Sequence, residues 1–274
     1  MLMNKIKKLY FPFTRAGILE AITYRTNFLC FFVGELFYCF VMYYVWKAVF
    51  ESSGGGTFMD FSMNDMVVYL FISNVTGFLI NSGVCNTVGE EIKDGSISMR
   101  LIKPVNFDLS YLFKELGNLV ITLVMVFIPM LVGVEIYRYC INGVIMFNIV
   151  NFLLYLLSAV FAYLISFYLN LCFGFMAFFV KNLWGFSILK QSLIKFLSGS
   201  VIPIAFLPGV LRQILELMPF ASLSYTPVML YMGKYDTTQI IFNLALQLFW
   251  LLFFYVLSKL IWKKAIKYLC VQGG

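Results

Sequence analysis

Two groups of residues in this sequence could carry chemistry: isolated charges inside long apolar stretches, and a charged segment between two of those stretches. Glu35 and Lys195 belong to the first group, and residues 89–104 form the second. The chain has no histidine, which removes His-activated nucleophiles and His metal sites. It also lacks a GxxxxGK[ST] phosphate-binding loop, since Lys234 is the only lysine directly after a glycine. We therefore predict no catalytic site, cofactor site or metal site in this chain.

The composition excludes a water-soluble domain. Hydrophobic residues make up 62% of the 274 residues and charged residues only 12%, whereas a soluble domain is roughly half apolar and a quarter charged. The polar residues are too few to cover a globule of this size, and helices in lipid need no polar outer face. The six cysteines are scattered without a CxxC pair and are typical of packing residues.

We predict an all-α integral membrane protein with six transmembrane helices, because each crossing needs about 20 apolar residues. The predicted spans are approximately residues 27–49, 66–88, 116–136, 144–180, 182–204 and 240–262. The fourth contains 37 residues without a charge, about 55 Å of helix, which is too long for a crossing of about 30 Å. We expect an interfacial or kinked extension there, with Gly174 as the candidate kink.

The charges of the N-terminal segment and of the loops predict the orientation. Residues 1–25 mix cations with apolar and aromatic residues, which favours an amphipathic helix along the inner interface. One side of the membrane, which carries both termini and the loop 89–115, holds sixteen Lys and Arg residues, among them Lys190. The other side holds Lys47, Arg138, Arg212 and Lys234. Both termini are therefore predicted to be cytoplasmic in a plasma membrane, and the net charge of +7 indicates attraction to anionic lipid rather than nucleic-acid binding.

Glu35 and Lys195 lie well inside the first and fifth predicted spans. An unpaired charge at the centre of a bilayer costs at least about 2.5–3.5 kcal/mol on insertion scales. Each must therefore face a partner, water or the interior of the bundle. They either line a substrate path or pair with each other; alternatively, Lys195 extends to the inner interface and Glu35 bonds to a neighbouring helix.

Residues 205–239, between the fifth and sixth predicted spans, are moderately apolar and interrupted by prolines. Within this segment, residues 209–218 could form one short helix in which Arg212 and Glu216 have the spacing of an ion pair. Ten residues are too short to span, so we predict a re-entrant or interfacial hairpin at the outer face.

Three parts of the chain resemble a known family. The motif Glu91-x-x-x-Gly95 followed by Leu101-x-x-Pro104 is similar to the cytoplasmic loop of type-2 ABC transporter permeases. A second series of motifs looks like the end of the fifth span and the outer re-entrant segment of a poorly characterised bacterial branch of that family: Leu197-Ser-Gly-Ser-Val-Ile-Pro203, Phe206-Leu-Pro-Gly209, Leu217-Met-Pro-Phe220 and Thr226-Pro227. The tail from Gln247 and Trp250 through Trp262-Lys-Lys-Ala265 to Gln272-Gly-Gly274 also fits. The resemblance covers nearly the whole chain, as a single permease domain over 1–274.

The resemblance implies a role for specific residues. The ATPase-coupling loop would contain Glu90, Glu91, Lys93, Gly95, Leu101 and Pro104. The outer re-entrant segment would be marked by Pro203, Pro208, Gly209 and Pro219. From the residues alone, an ordinary solvated loop is the favoured interpretation of 89–104.

The function implied by the resemblance is that of the permease subunit of an ATP-driven ABC exporter. A second copy or a sister permease would complete the pathway, and two ATPase subunits would hold ATP and Mg²⁺. Two other functional classes are alternatives to a permease. A membrane-embedded, lipid-modifying enzyme would need histidine or paired acids at the membrane surface. A channel would need a repeated polar face, whereas the spans contain only isolated asparagines; a membrane anchor for another complex is the remaining alternative.

Overall fold

The computed structural model describes residues 2–54, 56–143, 147–180 and 183–268. Within these ranges the chain is helical and contains no β-strand beyond an isolated bridge between Phe58 and Phe61. The helices are α1 (Leu2–Thr23), α2 (Arg25–Ser52), α3 (Met63–Ile80), α4 (Val84–Lys93), α5 (Ile97–Leu101), α6 (Phe107–Thr122), α7 (Ile128–Asn142), α8 (Ile149–Phe175), α9 (Leu183–Leu197), α10 (Gly209–Leu217), α11 (Tyr225–Met232) and α12 (Thr237–Ala265). The predicted tail motif Gln272-Gly-Gly274 lies outside the described residues.

Among the described residues, five helical segments are long and apolar enough to cross a membrane. They are Phe32–Ser52, Met63–Lys93, Phe107–Asn142, Ile149–Phe178 and Thr237–Ala265. These segments correspond to the first, second, third, fourth and sixth predicted spans. Among the described residues of the fifth predicted span, α-helix covers the 15 residues of α9. This is about 22 Å of helix and too short for a crossing by itself.

The third membrane segment begins earlier than predicted. Residues 107–115 were expected in a polar loop, but α6 begins at Phe107, where the Asn106 side chain accepts a hydrogen bond from the Leu109 amide. A short π-helix over Leu123–Phe127 joins α6 to α7. The polar residues of the first turns are tolerated because they face protein: Asp108 and Glu115 are 4% and 6% exposed.

One further prediction is corrected at α4. The second segment is broken at residues 81–83 between α3 and α4, so it is not one continuous helix. In the fourth segment, α8 ends at Phe175, one residue after the candidate kink Gly174, and a 3-10 helix over Met176–Phe178 follows. The lack of a side chain at Gly174 lets α8 approach α4 closely: a Cβ on Gly174 would lie 3.1 Å from Val88 Cβ and 3.2 Å from the Cys85 carbonyl oxygen.

The N-terminal helix α1 packs along α6. Gly17 and Gly117 face each other where the two helices touch, and a Cβ on Gly117 would lie 2.2 Å from the Thr14 carbonyl oxygen. Lys114 Nζ lies 2.8 Å from Glu20 Oε2 across the same contact. The amphipathic pattern of residues 1–25 predicts that the segment is helical. Its packing against α6 depends on two glycines that lie 100 positions apart in the sequence.

Candidate functional site

The loop between α4 and α6 turns at Gly95, whose φ of +78° lies in the left-handed region that favours glycine. Just before it, Asp94 accepts a hydrogen bond from the Ser96 amide at 2.8 Å. Hydrogen bonds from the Ser96 side chain and backbone lower the pKa of Asp94. The sequence Asp-Gly-Ser therefore forms a tight turn that leads into α5.

A three-residue contact fixes the loop to the helices beside it. Arg100 Nε donates to Glu91 Oε2 at 2.9 Å, and its second nitrogen pairs with the other oxygen of the same carboxylate. The Tyr111 hydroxyl also donates to Glu91, and the Arg100 guanidinium lies 4.0 Å from the centre of the Tyr111 ring. The two charged side chains are only 17% and 18% exposed. A bidentate, shielded pair of this kind orients both partners, so Glu91 holds the loop in shape rather than projecting from it.

The tip of the loop exposes apolar side chains. Met99 and Ile102 are 71% and 82% exposed, whereas Ile97 on the other face of α5 is buried. Of the residues predicted for this loop, Glu90, Lys93, Gly95 and Pro104 are exposed, and Leu101 is half-buried. The sequence motif missed Met99, Ile102, Arg100 and Tyr111, because exposure and pairing depend on how α5 folds back.

Helix α4 connects this loop to the interior. Its first turn is capped by Glu115 of α6, whose Oε2 accepts from the Gly83 amide at 3.1 Å and from Ser82 Oγ at 3.3 Å. A carboxylate at a helix N-terminus satisfies free amides and the positive end of the helix dipole. Helix α3 therefore ends before residues 81–83 and a new helix, α4, begins after them, with its N-terminus stabilised by the buried carboxylate of Glu115.

A polar cavity of about 320 Å³ lies between α2, α3, α8 and α9. It brings together the two isolated charges: Lys195 Nζ lies 3.6 Å from Glu35 Oε1. Asn74 Nδ2 donates to the other oxygen of Glu35 at 2.9 Å, and Lys195 Nζ is 4.4 Å from the centre of the Tyr38 ring. The two interpretations of Glu35 coexist, since it contacts both Lys195 and a neighbouring helix.

Lys190 lines the same cavity, although the sequence placed it among the orienting charges at the membrane surface. It is 6% exposed, and its Nζ donates to Asn170 Oδ1. Asn170 in turn donates to the Ser166 carbonyl at 2.8 Å, and Ser166 Oγ donates to the Ile80 carbonyl at the end of α3. This chain of contacts joins α9, α8 and α3 around the cavity.

The chain leaves α9 through a non-helical segment in which the first three carbonyl groups have partners. The Ser198 carbonyl accepts from the Tyr225 amide at 3.1 Å, and the Gly199 carbonyl accepts from the Tyr69 hydroxyl at 2.6 Å. The Ser200 carbonyl accepts from Ser73 Oγ at 3.4 Å. Gly199 has a φ of +77° and a Cβ there would lie 2.8 Å from Ile204 Cγ1, so both conformation and space favour glycine.

Residues 204–232 contain the predicted short helix and a second one. Arg212 Nε lies 2.8 Å from Glu216 Oε1 within α10, which ends one residue earlier than predicted. The four residues predicted to mark the outer re-entrant segment differ in exposure. Pro203 and Pro219 are buried, whereas Pro208 and Gly209, at the start of α10, are exposed. The chain then turns, and α11 lies fully buried except at its last residue.

The turn between α10 and α11 is held by α12 and α3. Gln247 Nε2 donates to the Ser222 carbonyl at 2.8 Å, and Trp250 Nε1 donates to the Leu217 carbonyl at 3.1 Å. Ser224 Oγ lies 2.9 Å from Ser73 Oγ. Gln247 and Ser73 each lie ten residues from the start of their helices, about 15 Å along each helix axis.

The described residues contain no group of three or more Cys, Asp or Glu side chains that could hold a metal ion. What the geometry offers instead is a helical bundle with an internal polar cavity, a broken segment beside it, and an anchored loop with an apolar tip. Such an arrangement is that of a polytopic helical membrane protein with a cavity between its helices.

The comparison with protein families specifies the class. Residues 36–273 match the family model described as ABC-2 family transporter protein, so the chain belongs to the ABC-2 transporter family. It is a membrane permease component of an ABC transporter, a class of subunit that works with an ABC ATPase and is not generally catalytic itself. No curated protein matches the sequence significantly.

Proposed function

We propose that the chain is the permease subunit of an exporter, forms one half of its translocation pathway and couples to a separate ATPase through the loop over residues 94–106. The observation that carries the proposal is the construction of this loop. Glu91, Arg100 and Tyr111 fix its base, while Met99 and Ile102 project from its tip. An exposed apolar tip on a rigid base is suited to dock in a groove of a partner and to transmit force.

The force would travel along α4. This helix has 10 residues, about 15 Å of axis, and it runs from the loop to residues 81–83. Asn81 and Ser82 line the polar cavity, and the close contact at Gly174 binds α4 to α8. Movement of the loop by the ATPase would therefore reach the cavity through one short, well-packed helix.

We propose six crossings, of which the fifth is broken. Helix α9 supplies its first part and the non-helical residues 198–203 supply the rest. Non-helical backbone at membrane depth is tolerated where protein surrounds it, and the partners of the Ser198, Gly199 and Ser200 carbonyls meet that condition. Six crossings place both termini and the loop on the cytoplasmic side of a plasma membrane, as the Lys and Arg distribution predicts. Helix α1 would lie along the inner interface beside α6.

Helices α10 and α11 would form a re-entrant hairpin that enters from the outer face. The turn between them contacts α3 and α12 about 15 Å from the starts of those helices, which is about half of a hydrocarbon core of roughly 30 Å. Every residue from 221 to 231 is buried. Entering hairpins are stable in a bilayer when the surrounding helices cover them.

The second half of the pathway would face the cavity. Glu35 and Lys195 keep 35% and 48% of their side-chain surfaces exposed, and charges at this depth are costly against lipid. A water-filled path shared with a second copy or a sister permease removes that cost. The complete transporter would contain two permeases and two ATPase subunits, which bind ATP and Mg²⁺.

The proposed orientation predicts the labelling of Cys140. This cysteine is exposed near the end of α7, on the side of the membrane proposed to be outside. A membrane-impermeant maleimide added to intact cells should label the chain, and Cys140→Ser should abolish the labelling. Labelling of Cys140 only after the cells are opened would reverse the orientation.

Docking through the loop predicts a large effect of Ile102→Glu. Affinity purification of the tagged full chain from the membranes of its own cells should recover an ATPase with a phosphate-binding loop, identified by mass spectrometry. Loss of a central apolar contact costs about 2 kcal/mol or more, so Ile102→Glu should reduce recovery about thirtyfold.

The matched control is Met59→Glu, since Met59 is also an exposed apolar side chain, 56% accessible, in the loop after α2. It should leave the recovery unchanged. The proposal fails if no such ATPase is recovered with the unaltered chain, or if Ile102→Glu and Met59→Glu behave alike.

A further inference from the structure

The polar cavity contains more positive than negative charge. Glu35 is its one carboxylate among the described lining residues, and that carboxylate is paired with Lys195. Lys190 takes part in none of the ion pairs between described residues. Its ammonium group contacts the Asn170 amide oxygen, the Cys85 thiol and, at 5.5 Å, the face of the Phe173 ring. A buried ammonium group without a counter-charge costs several kcal/mol, so this position favours an anion.

The rest of the lining supplies hydrogen-bonding groups. Besides Asn81 and Gln191, the cavity is lined by Ser73, Ser82, Ser166, Ser198, Ser200 and Ser224. The hydroxyls of Ser82, Ser166, Ser198 and Ser200 already donate to other groups of the protein. Its volume of about 320 Å³ is within the range of small-ligand sites. Lysine is a common point-charge partner of phosphate, and a phosphate group has three acceptor oxygens. The buried ammonium group of Lys190 and the side-chain amides of Asn81 and Gln191 can donate hydrogen bonds to such a group.

We propose that this cavity binds a phosphate-type oxyanion group of the transported substrate, with Lys190 as its counter-charge. That the bound group belongs to a transported substrate rests on the function proposed above, whereas binding itself does not involve the ATPase. Asn170 is a positioning residue, since its amide oxygen holds the Lys190 ammonium group and its amide nitrogen is held by Ser166. The Glu35–Lys195 pair borders the site and limits it to a single net positive charge.

The test uses the full chain purified in an uncharged detergent, with thermal unfolding followed by tryptophan fluorescence. Three additives are titrated: inorganic phosphate, dihexanoylphosphatidic acid and dihexanoylglycerol, which is the uncharged counterpart of the lipid. One of the two phosphates should raise the Tm saturably, and dihexanoylglycerol should not. A response to both phosphates indicates that the headgroup suffices, whereas a response to phosphatidic acid alone indicates a lipid-borne group.

The variant Lys190→Met should weaken phosphate binding about tenfold or more, because a charge-assisted hydrogen bond is lost. It should not lower the Tm without additive, because it removes an unpaired buried charge and keeps an apolar stem of similar length. Lys190→Gln serves in its place if the methionine variant does not fold. The matched control is Lys47→Met, which removes an exposed lysine paired with Glu51 at 3.9 Å outside the cavity.

The proposal is overturned if neither phosphate gives a saturable shift with the unaltered chain, or if Lys190→Met and Lys47→Met bind equally well. Either result leaves recovery of the ATPase through Ile102 untouched. Conversely, loss of the ATPase interaction in the Ile102→Glu experiment leaves this binding measurement intact. The two failures are therefore distinguishable.

Discussion

Replacing Gly117 by valine should separate α1 from α6 and lower the free energy of unfolding by about 3 kcal/mol, at the upper end of overpacking effects. A Cβ at this position would lie 2.2 Å from the Thr14 carbonyl oxygen and 2.8 Å from the Ile18 amide nitrogen. Both are backbone atoms of α1, so no side-chain rotation relieves the overlap. The helix itself must move, which would also pull Glu20 away from Lys114.

Thermal or denaturant unfolding of the purified chain in detergent measures this effect. Gly34→Val is the matched control, since a Cβ on Gly34 of α2 would meet nothing within 4 Å and the intrinsic helix propensity changes equally. The control should unfold like the unaltered chain or slightly later. Equal midpoints for the two variants would contradict the close packing of α1 on α6.

Replacing Arg100 by methionine should unfold the loop locally, at a cost of about 2–3 kcal/mol. The substitution leaves the carboxylate of Glu91, only 18% exposed, without its cation, and breaking a shielded pair by removing one partner is strongly destabilising. Hydrogen exchange of the amides in residues 94–106 should accelerate about thirtyfold or more, since each tenfold change corresponds to about 1.4 kcal/mol. Recovery of the ATPase should fall with it.

A more exposed ion pair provides the control for this prediction. Lys47 and Glu51 of α2 are 47% and 69% exposed, and exposed pairs of this kind contribute roughly 0–1 kcal/mol. Lys47→Met should therefore leave exchange at the end of α2 nearly unchanged. Arg100→Lys should rescue only part of the protection, because an ammonium group does not form the bidentate contact. Unchanged exchange in Arg100→Met would show that Glu91 does not anchor the loop.

The features predicted correctly from the sequence depend on neighbours along the chain. The Arg212–Glu216 contact follows from a spacing of four residues on a helix. Helix α12 follows from a long apolar run, and it begins with a capping box at Asp236 and Gln239. The family membership follows from motifs whose order along the chain is sufficient, and the family match over 36–273 confirms it.

The features predicted wrongly depend on residues distant in sequence. The start of α6 looked polar, but Asp108 and Glu115 face protein and have partners there: Lys259 Nζ lies 2.5 Å from Asp108, and Glu115 caps α4. Lys190 looked like a surface cation, but it lies buried beside Asn170. The polarity of a segment predicts whether most of it lies in water or in lipid. It does not predict which individual polar side chain will be buried against a partner in the folded bundle.

Glu35 and Lys195 show which properties of the cavity follow from the sequence and which follow from the tertiary structure. The sequence determined by itself that Glu35 and Lys195 could not face lipid, because the cost of a charge in hydrocarbon depends only on the apolar run around it. Only the tertiary structure decided that they lie 3.6 Å apart and share a cavity with Lys190. They are 160 positions apart, and contacts over such separations are selected by the packing of α2, α3, α8 and α9 together. Local composition thus determines that the chain is a membrane protein. Its cavity and its anchored loop form only when the helices pack together.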